Sequence, residues 1–261
     1  APKWSTDFAF RLSCKVQRVP ISEKGKEFFA QGRSTFLDIK GGSAVLHTWG
    51  RGDKNLIFLH GWMSNSQRWM PYVAALDQDE YTIHAIDFPG HGMAKGKSLH
   101  IEMCREALMQ TIARVGEVDT IIGHSLGSLI TAYSYVYDPS LPIRKFVIMG
   151  APSGMDAIFE YFEMNMGLSQ RSIRKLGEKV DSILRIPHKE ISLANFFAQV
   201  KQPVLVVHEE SDLVTPWEPI KIAIATKKNI TSFTTDDLDH NLRGDHVVDK
   251  VIHFINKPLC T

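Results

Sequence analysis

Cysteine is nearly missing: the chain of 261 residues carries three, Cys14, Cys104 and Cys260. An odd number without regular spacing excludes a disulfide framework and a zinc-binding pattern. The thiols read as buried or incidental groups of a reducing compartment, with a Cys14–Cys260 bridge between the terminal segments as the less favoured alternative. Long apolar runs are also missing, so no stable membrane insertion is expected. The first residues, Ala1-Pro2-Lys3-Trp4, lack a basic region followed by an apolar stretch. That is no secretory leader, and the expected location is cytoplasmic. Neither sign of charge dominates: 30 Lys and Arg against 29 Asp and Glu leave a formal net charge of +1. This excludes the electrostatic footprint of a nucleic-acid binder. Internal repeats and low-complexity tracts are absent as well. What remains is ordinary globular composition, 44% apolar and 23% charged, with enough length for one large core.

The order of elements implies an α/β fold. Residues 1–34 read as an N-terminal extension with a short helix near Ser22–Gln31. Thr35–Ile39 and Ala44–Trp49 flank Gly41-Gly42, a β-hairpin pattern. Strand candidates then follow at Asn55–Leu59, Tyr81–Ile86, Thr120–Ile122, Lys145–Met149, Pro203–Val207 and Thr231–Thr234. Helical stretches separate them near Gln67–Leu76, Ser98–Gly116, Leu126–Val136 and Glu218–Thr226, and Val247–Ile255 closes the chain. Strands alternating with helices predict right-handed crossovers and a mostly parallel central sheet with helices on both faces. The alternation stops between Met149 and Pro203. The expected organisation is therefore a core of residues 35–150 and 201–261, interrupted by a helical cap at 151–200.

The chemistry concentrates in Gly123-His124-Ser125-Leu126-Gly127, a G-x-S-x-G between a strand and an apolar helix. A sharp strand-to-helix turn strains the serine backbone, requires small flanking residues and lifts the hydroxyl above the sheet edge. A serine hydroxyl needs a base, and the base an orienting carboxylate. In this architecture acid and histidine follow the serine in that order, each after a late strand. Asp212 and His240 occupy those loops. Glu209 and Glu210 compete for the acid role, but Glu209 adjoins the strand end. His208, His246 and His253 compete for the base, but sit at a strand end or on the last helix. An acyl-transfer site also needs oxyanion donors. One is the amide of Leu126, after the nucleophile. The other belongs in the loop after the first central strand, His60-Gly61-Trp62, and is assigned to Trp62. Asp87-Phe88-Pro89-Gly90-His91-Gly92 reads as a compact structural turn beside the site.

Together these segments resemble the α/β-hydrolase superfamily, especially its small-cap esterase and lipase-like members, over about residues 35–256. The resemblance implies a Ser125–His240–Asp212 catalytic triad and an oxyanion hole from Trp62 and Leu126. Two features depart from many members: Glu209-Glu210 where a Gly is common in the acid loop, and Asp239 in place of a Gly before His240. A serine nucleophile argues against the dehalogenase and epoxide-hydrolase relatives. The expected activity is hydrolysis of carboxylic esters with small to medium acyl or aromatic groups, with a small-molecule substrate, no cofactor and no metal. The alternatives are thioester or C–C bond cleavage on the same triad, or a non-enzymatic ligand-binding module. Met63, Trp69, His124, Phe159 and Phe162 are the candidate pocket residues. For the aromatic and Met side chains, lining an acyl pocket and simply packing the cap on the body are equally good readings. Nothing in the composition specifies an oligomeric state.

Overall fold

The structure, a computed structural model, describes residues 3–258. The helices are α1 (Lys3–Ser13), α2 (Glu23–Ala30), α3 (Met70–Ala75), α4 (Ile101–Val115), α5 (Leu126–Tyr137), α6 (Met155–Met166), α7 (Gln170–Asp181), α8 (Leu193–Gln199), α9 (Glu218–Ile224) and α10 (Asp245–Asn256). The strands are β1 (Arg33–Ile39), β2 (Gly42–Gly50), β3 (Lys54–Leu59), β4 (Tyr81–Asp87), β5 (Val118–His124), β6 (Ile143–Met149), β7 (Val204–Glu209) and β8 (Ile230–Thr235). Among the described residues they form one sheet in the order β1-β2-β4-β3-β5-β6-β7-β8. The hairpin β1–β2 pairs antiparallel, and β2 runs antiparallel to β4; every pairing from β4 onward is parallel.

Side-chain alternation explains why this sheet is buried on both faces. Successive strand residues point to opposite sides. Ile57 and Leu59 of β3, Ile121 of β5, Phe146 and Ile148 of β6 and Val206 of β7 enter one core. Their neighbours Leu56, Phe58, Ile122, Val147, Met149 and Val207 enter the other. The first core is closed by Leu108 of α4, Leu129 and Tyr133 of α5 and Phe196 of α8. The second is closed by Phe28 of α2, Tyr72 of α3 and Val247 and Val251 of α10. Continuous Val/Ile/Leu/Phe runs without a polar face are what a doubly covered parallel sheet requires.

Residues before β1 pack into this body. Ser22 caps α2 by accepting from the Gly25 amide, and the Phe28 ring stacks on Trp49 at 4.4 Å. Cys14 and Val16 are buried, and Arg18 donates to the carbonyls of Gly92 and Ala94. Burial pushes the Cys14 thiol up to about 11. The conceived partner of Cys14 in a bridge, Cys260, lies outside the described residues. Between β6 and β7 the chain leaves the sheet to form α6, α7 and α8. Its return is pinned by Arg185, whose Nε donates to Glu102 at 3.0 Å and whose backbone amide donates to the Tyr133 hydroxyl at 2.9 Å. Among the described residues no helix is long and apolar enough to cross a membrane.

Candidate active site

Ser125 lies at the junction of β5 and α5, with φ +52° and ψ −118°. A non-glycine residue at positive φ is strained and persists only where its surroundings over-determine it. Here the Ser125 amide donates to the Met149 carbonyl at 2.8 Å, while its own carbonyl accepts from the Ser128 amide at 3.0 Å. The chain must therefore turn within one residue from ladder to helix. The flanking glycines are steric necessities. A Cβ on Gly127 would stand 2.2 Å from the Leu59 carbonyl oxygen, and one on Gly123 would stand 2.6 Å from the Ser128 nitrogen.

Three loops at one end of the sheet converge on this turn. His240 Nε2 lies 3.0 Å from Ser125 Oγ, and His240 Nδ1 lies 2.7 Å from Asp212 Oδ2. The Asp212 carboxylate closes an Asx turn, with its Oδ1 accepting from the amides of Val214 at 2.8 Å and Thr215 at 3.0 Å. Burial raises the Asp212 pKa, but the hydrogen bonds of His240 and Thr215 outweigh burial and bring it down to about 2. An ionised acceptor at Nδ1 leaves the proton on that nitrogen and turns Nε2, as acceptor, to the serine hydroxyl.

The rival acids and bases are engaged elsewhere. Glu209 is buried and accepts from the Ser211 amide and hydroxyl, the Thr235 hydroxyl and the Leu238 amide. It ties the Asp212 loop to the His240 loop, which explains an acid where glycine is common. Glu210 accepts from Thr234. Asp239 accepts the Asn241 amide at 2.8 Å, shaping the turn that follows His240. His208 donates to the Thr215 carbonyl at 2.7 Å, and burial lowers its pKa, so it is a neutral support of the acid turn. His246 is exposed beside Asp237, and His253 is exposed on α10.

The loop after β3 reaches Ser125 through Gly61, where a Cβ would lie 2.9 Å from Ser125 Cβ. Two neutral histidines hold this loop. His60 Nε2 accepts the Phe88 amide and its Nδ1 donates to the Gly61 carbonyl; burial lowers its pKa to about 3. His91 Nε2 accepts the Met63 amide at 3.2 Å while its Nδ1 donates to the Pro89 carbonyl. The turn after β4 is thus a brace for the Trp62–Met63 segment. Leu126, first residue of α5 and next in the chain after Ser125, has an amide with no partner inside the helix.

A pocket of about 100 Å³ opens at Ser125. Of the residues expected from sequence, Trp62, Met63, His124, Ser125 and His240 line it. Trp69 does not: it is fully buried, 5.0 Å from the Phe58 ring and 5.4 Å from the Tyr72 ring, and serves the core. Phe159 is buried on α6 with its ring edge-on to His188 at 5.0 Å, and Phe162 packs on the first core. Neither lines this pocket, because the apolar face of α6 turns to the body. Sequence reasoning missed Val19, Arg68, Asn241 and Arg243 in the wall, and Thr215 behind the acid. Thr215 carried a signal, since Asp-x-x-Thr-Pro is an Asx-turn pattern. The others carried none.

Comparison with known proteins agrees with this architecture. The pimeloyl-acyl-carrier-protein methyl ester esterase of Edwardsiella ictaluri is 31% identical over 106 residues, 41% of this chain and 40% of that protein. Its counterpart in Klebsiella pneumoniae is 32% identical over 109 residues, 40% of each chain. The matched segment thus spans about two fifths of these relatives' length. An esterase structure from Pyrococcus furiosus superposes with a TM-score of 0.67 at 20% identity, covering 92% of this chain and 98% of that one. A bromoperoxidase from Bacillus anthracis superposes with a TM-score of 0.66 at 17% identity, covering 86% and 100%. At such identities the two structures speak for the fold alone. Residues 56–240, the stretch from β3 through His240, match the alpha/beta hydrolase family, and the chain belongs to it.

Proposed function

We propose that this protein is a serine hydrolase that cleaves carboxylic esters of small to medium acyl or aromatic compounds. One observation carries the reading: Ser125, His240 and Asp212 form an unbroken hydrogen-bonded series at a strained turn with a helix N-terminus behind it. Ser125 Oγ attacks the ester carbonyl as His240 Nε2 takes its proton. Asp212 holds the imidazole orientation and stabilises the imidazolium. The amides of Leu126 and Trp62 receive the oxyanion, aided by the positive end of α5. His240 protonates the departing alcohol, and water cleaves the acyl-enzyme through the same groups. Residues 151–200 serve as a cap anchored by Arg185. The small pocket suits a short acyl group, and the relatives named as methyl ester esterases suggest a small alcohol as leaving group.

The test is initial-rate hydrolysis of p-nitrophenyl and methyl esters of increasing acyl length, with wild type and Ser125→Ala in parallel. Wild-type turnover should fall by about 10⁴-fold or more in the variant. Substantial residual ester hydrolysis by folded Ser125→Ala would remove the serine from its role. Faster cleavage of acyl-CoA than of any oxygen ester would move the reaction to thioesters.

A further inference from the structure

The pocket at Ser125 is lopsided in charge. Its wall comprises two guanidinium groups, Arg68 and Arg243, and no Asp or Glu. Arg68 Nη1 donates to His124 Nδ1 at 2.6 Å, and Nη2 donates to the Asn241 carbonyl at 3.0 Å. Both acceptors are neutral. His124 is held well below its ordinary pKa by burial and by Arg68, and passes its other N–H to the His240 carbonyl at 2.9 Å. Arg68 Nε is sealed from solvent without any acceptor. Among the described residues no carboxylate pairs with either arginine. Asp239, whose field reaches Arg68, directs both oxygens to Asn241.

The Arg68 guanidinium lies over the Trp69 ring at 4.8 Å, yet its sealed Nε and the lack of a carboxylate in ion-pair contact leave it short of compensation in the free protein. The strain is visible in its acidity, since burial lowers the Arg68 pKa to about 10. Each Nη carries two hydrogens and uses one, so one N–H on each remains without a protein acceptor. A carboxylate or phosphate accepts from such guanidinium donors. Arg243, exposed at the rim, adds a second charge on the way in.

We propose that the substrate carries, besides its ester, an anionic group that Arg68 and Arg243 receive, so that the site selects half-esters with a carboxylate or phosphate at the other end. The proposal rests on Ser125 attacking the ester. It goes further in making charge, and not only acyl size, the selected property.

The measurement is kcat/KM for monomethyl esters of straight-chain dicarboxylic acids of increasing length, each beside the neutral methyl ester of equal chain length. A terminal phosphonate in place of the carboxylate distinguishes the two anions; preference for either supports the proposal. The best half-ester should exceed its neutral partner by about tenfold or more. That ratio should shrink by about tenfold in Arg243→Gln and decline as salt rises. Arg68→Gln should act in the same direction, and Arg243, being exposed, keeps the test alive if the Arg68 variant does not fold. A ratio near one at every length, with hydrolysis abolished by Ser125→Ala, overturns the anion preference and leaves the hydrolase reading intact. If no ester turns over, the hydrolase reading fails, and calorimetric titration with the glutarate dianion then decides the anion site. Binding that weakens about tenfold in Arg243→Gln upholds it; no binding up to about 10 mM overturns it.

Discussion

Thr215 stands between Asp212 and His240, the two groups on which proton transfer depends in the proposed function. Its hydroxyl lies 2.8 Å from Asp212 Oδ2 and 3.2 Å from His240 Nδ1, and its amide lies 3.0 Å from Asp212 Oδ1. Only the hydroxyl is removed by substitution with valine, which keeps the shape. A hydrogen bond to a charged acceptor contributes about 1.5–3 kcal/mol, so Thr215→Val should lower kcat/KM by about tenfold. The Asp212 pKa, depressed to about 2, should rise in the variant, because one of the groups that stabilise the carboxylate is gone. A pH–rate profile with a lower plateau, together with an Asp212 carboxyl that titrates higher by NMR, at unchanged fold by circular dichroism, is the expected record. A profile superimposable on wild type would make Thr215 a packing residue. Arg68 is one imidazole ring away from the His240 carbonyl. It joins the 3₁₀ turn Ser66–Trp69, before α3, to the His240 loop, so its substitution acts on both charge and position.

At the scale of elements, one acidic side chain ties the insertion between β6 and β7 to α4 and α5, beside the apolar packing of α6, α7 and α8 on the first core. Glu102, buried on α4, receives Arg105 Nε and Nη2 at 3.0 Å each, the Tyr133 hydroxyl at 2.5 Å and Arg185 Nε at 3.0 Å. Three segments thus meet on one carboxylate: α4, α5 and the loop between α7 and α8. Burial raises the Glu102 pKa, and its donors outweigh that and lower it, so it is charged at neutral pH. Removing one member of a buried charge cluster leaves the others uncompensated, which is worse than never having built it. Glu102→Ala should destabilise the protein by about 3 kcal/mol in urea denaturation. Hydrogen exchange should loosen first over α6 to α8, since Arg185 is the outer member of the cluster. Uniform loosening across the sheet would instead make Glu102 a general core support.

For the whole molecule, acid is the condition that tests the sheet's ends. Asp87, at the end of β4, is fully buried and accepts from His47 Nε2 at 2.9 Å, the Ser66 amide at 2.8 Å and the Met93 amide at 2.8 Å. Burial raises its pKa, but these donors bring it from 3.8 down to about 2. As pH falls through that interval, the unfolded chain takes up a proton that the folded protein refuses. The stabilisation by Asp87 is therefore complete above pH 3.8 and is lost on descent to about pH 2. Asp87→Asn should lower stability at neutral pH and flatten the dependence of stability on pH between these values, read as urea midpoints. An unchanged slope would assign acid sensitivity to other groups. The alternation of apolar runs and helices determined, from sequence alone, a parallel sheet covered on both faces. Local turn chemistry likewise marked Ser125, Asp212 and His240, because each sits in a loop directly after a strand and its signal lies within a few residues. Only the tertiary structure decided that Trp69 and Phe159 belong to the core, since packing and ligand lining use the same apolar side chains and differ only in which way a helix is turned. It alone brought Val19, Arg68 and Arg243 to one pocket. Those residues are far apart in the chain, and a charge without a partner becomes visible only when every possible partner has been placed.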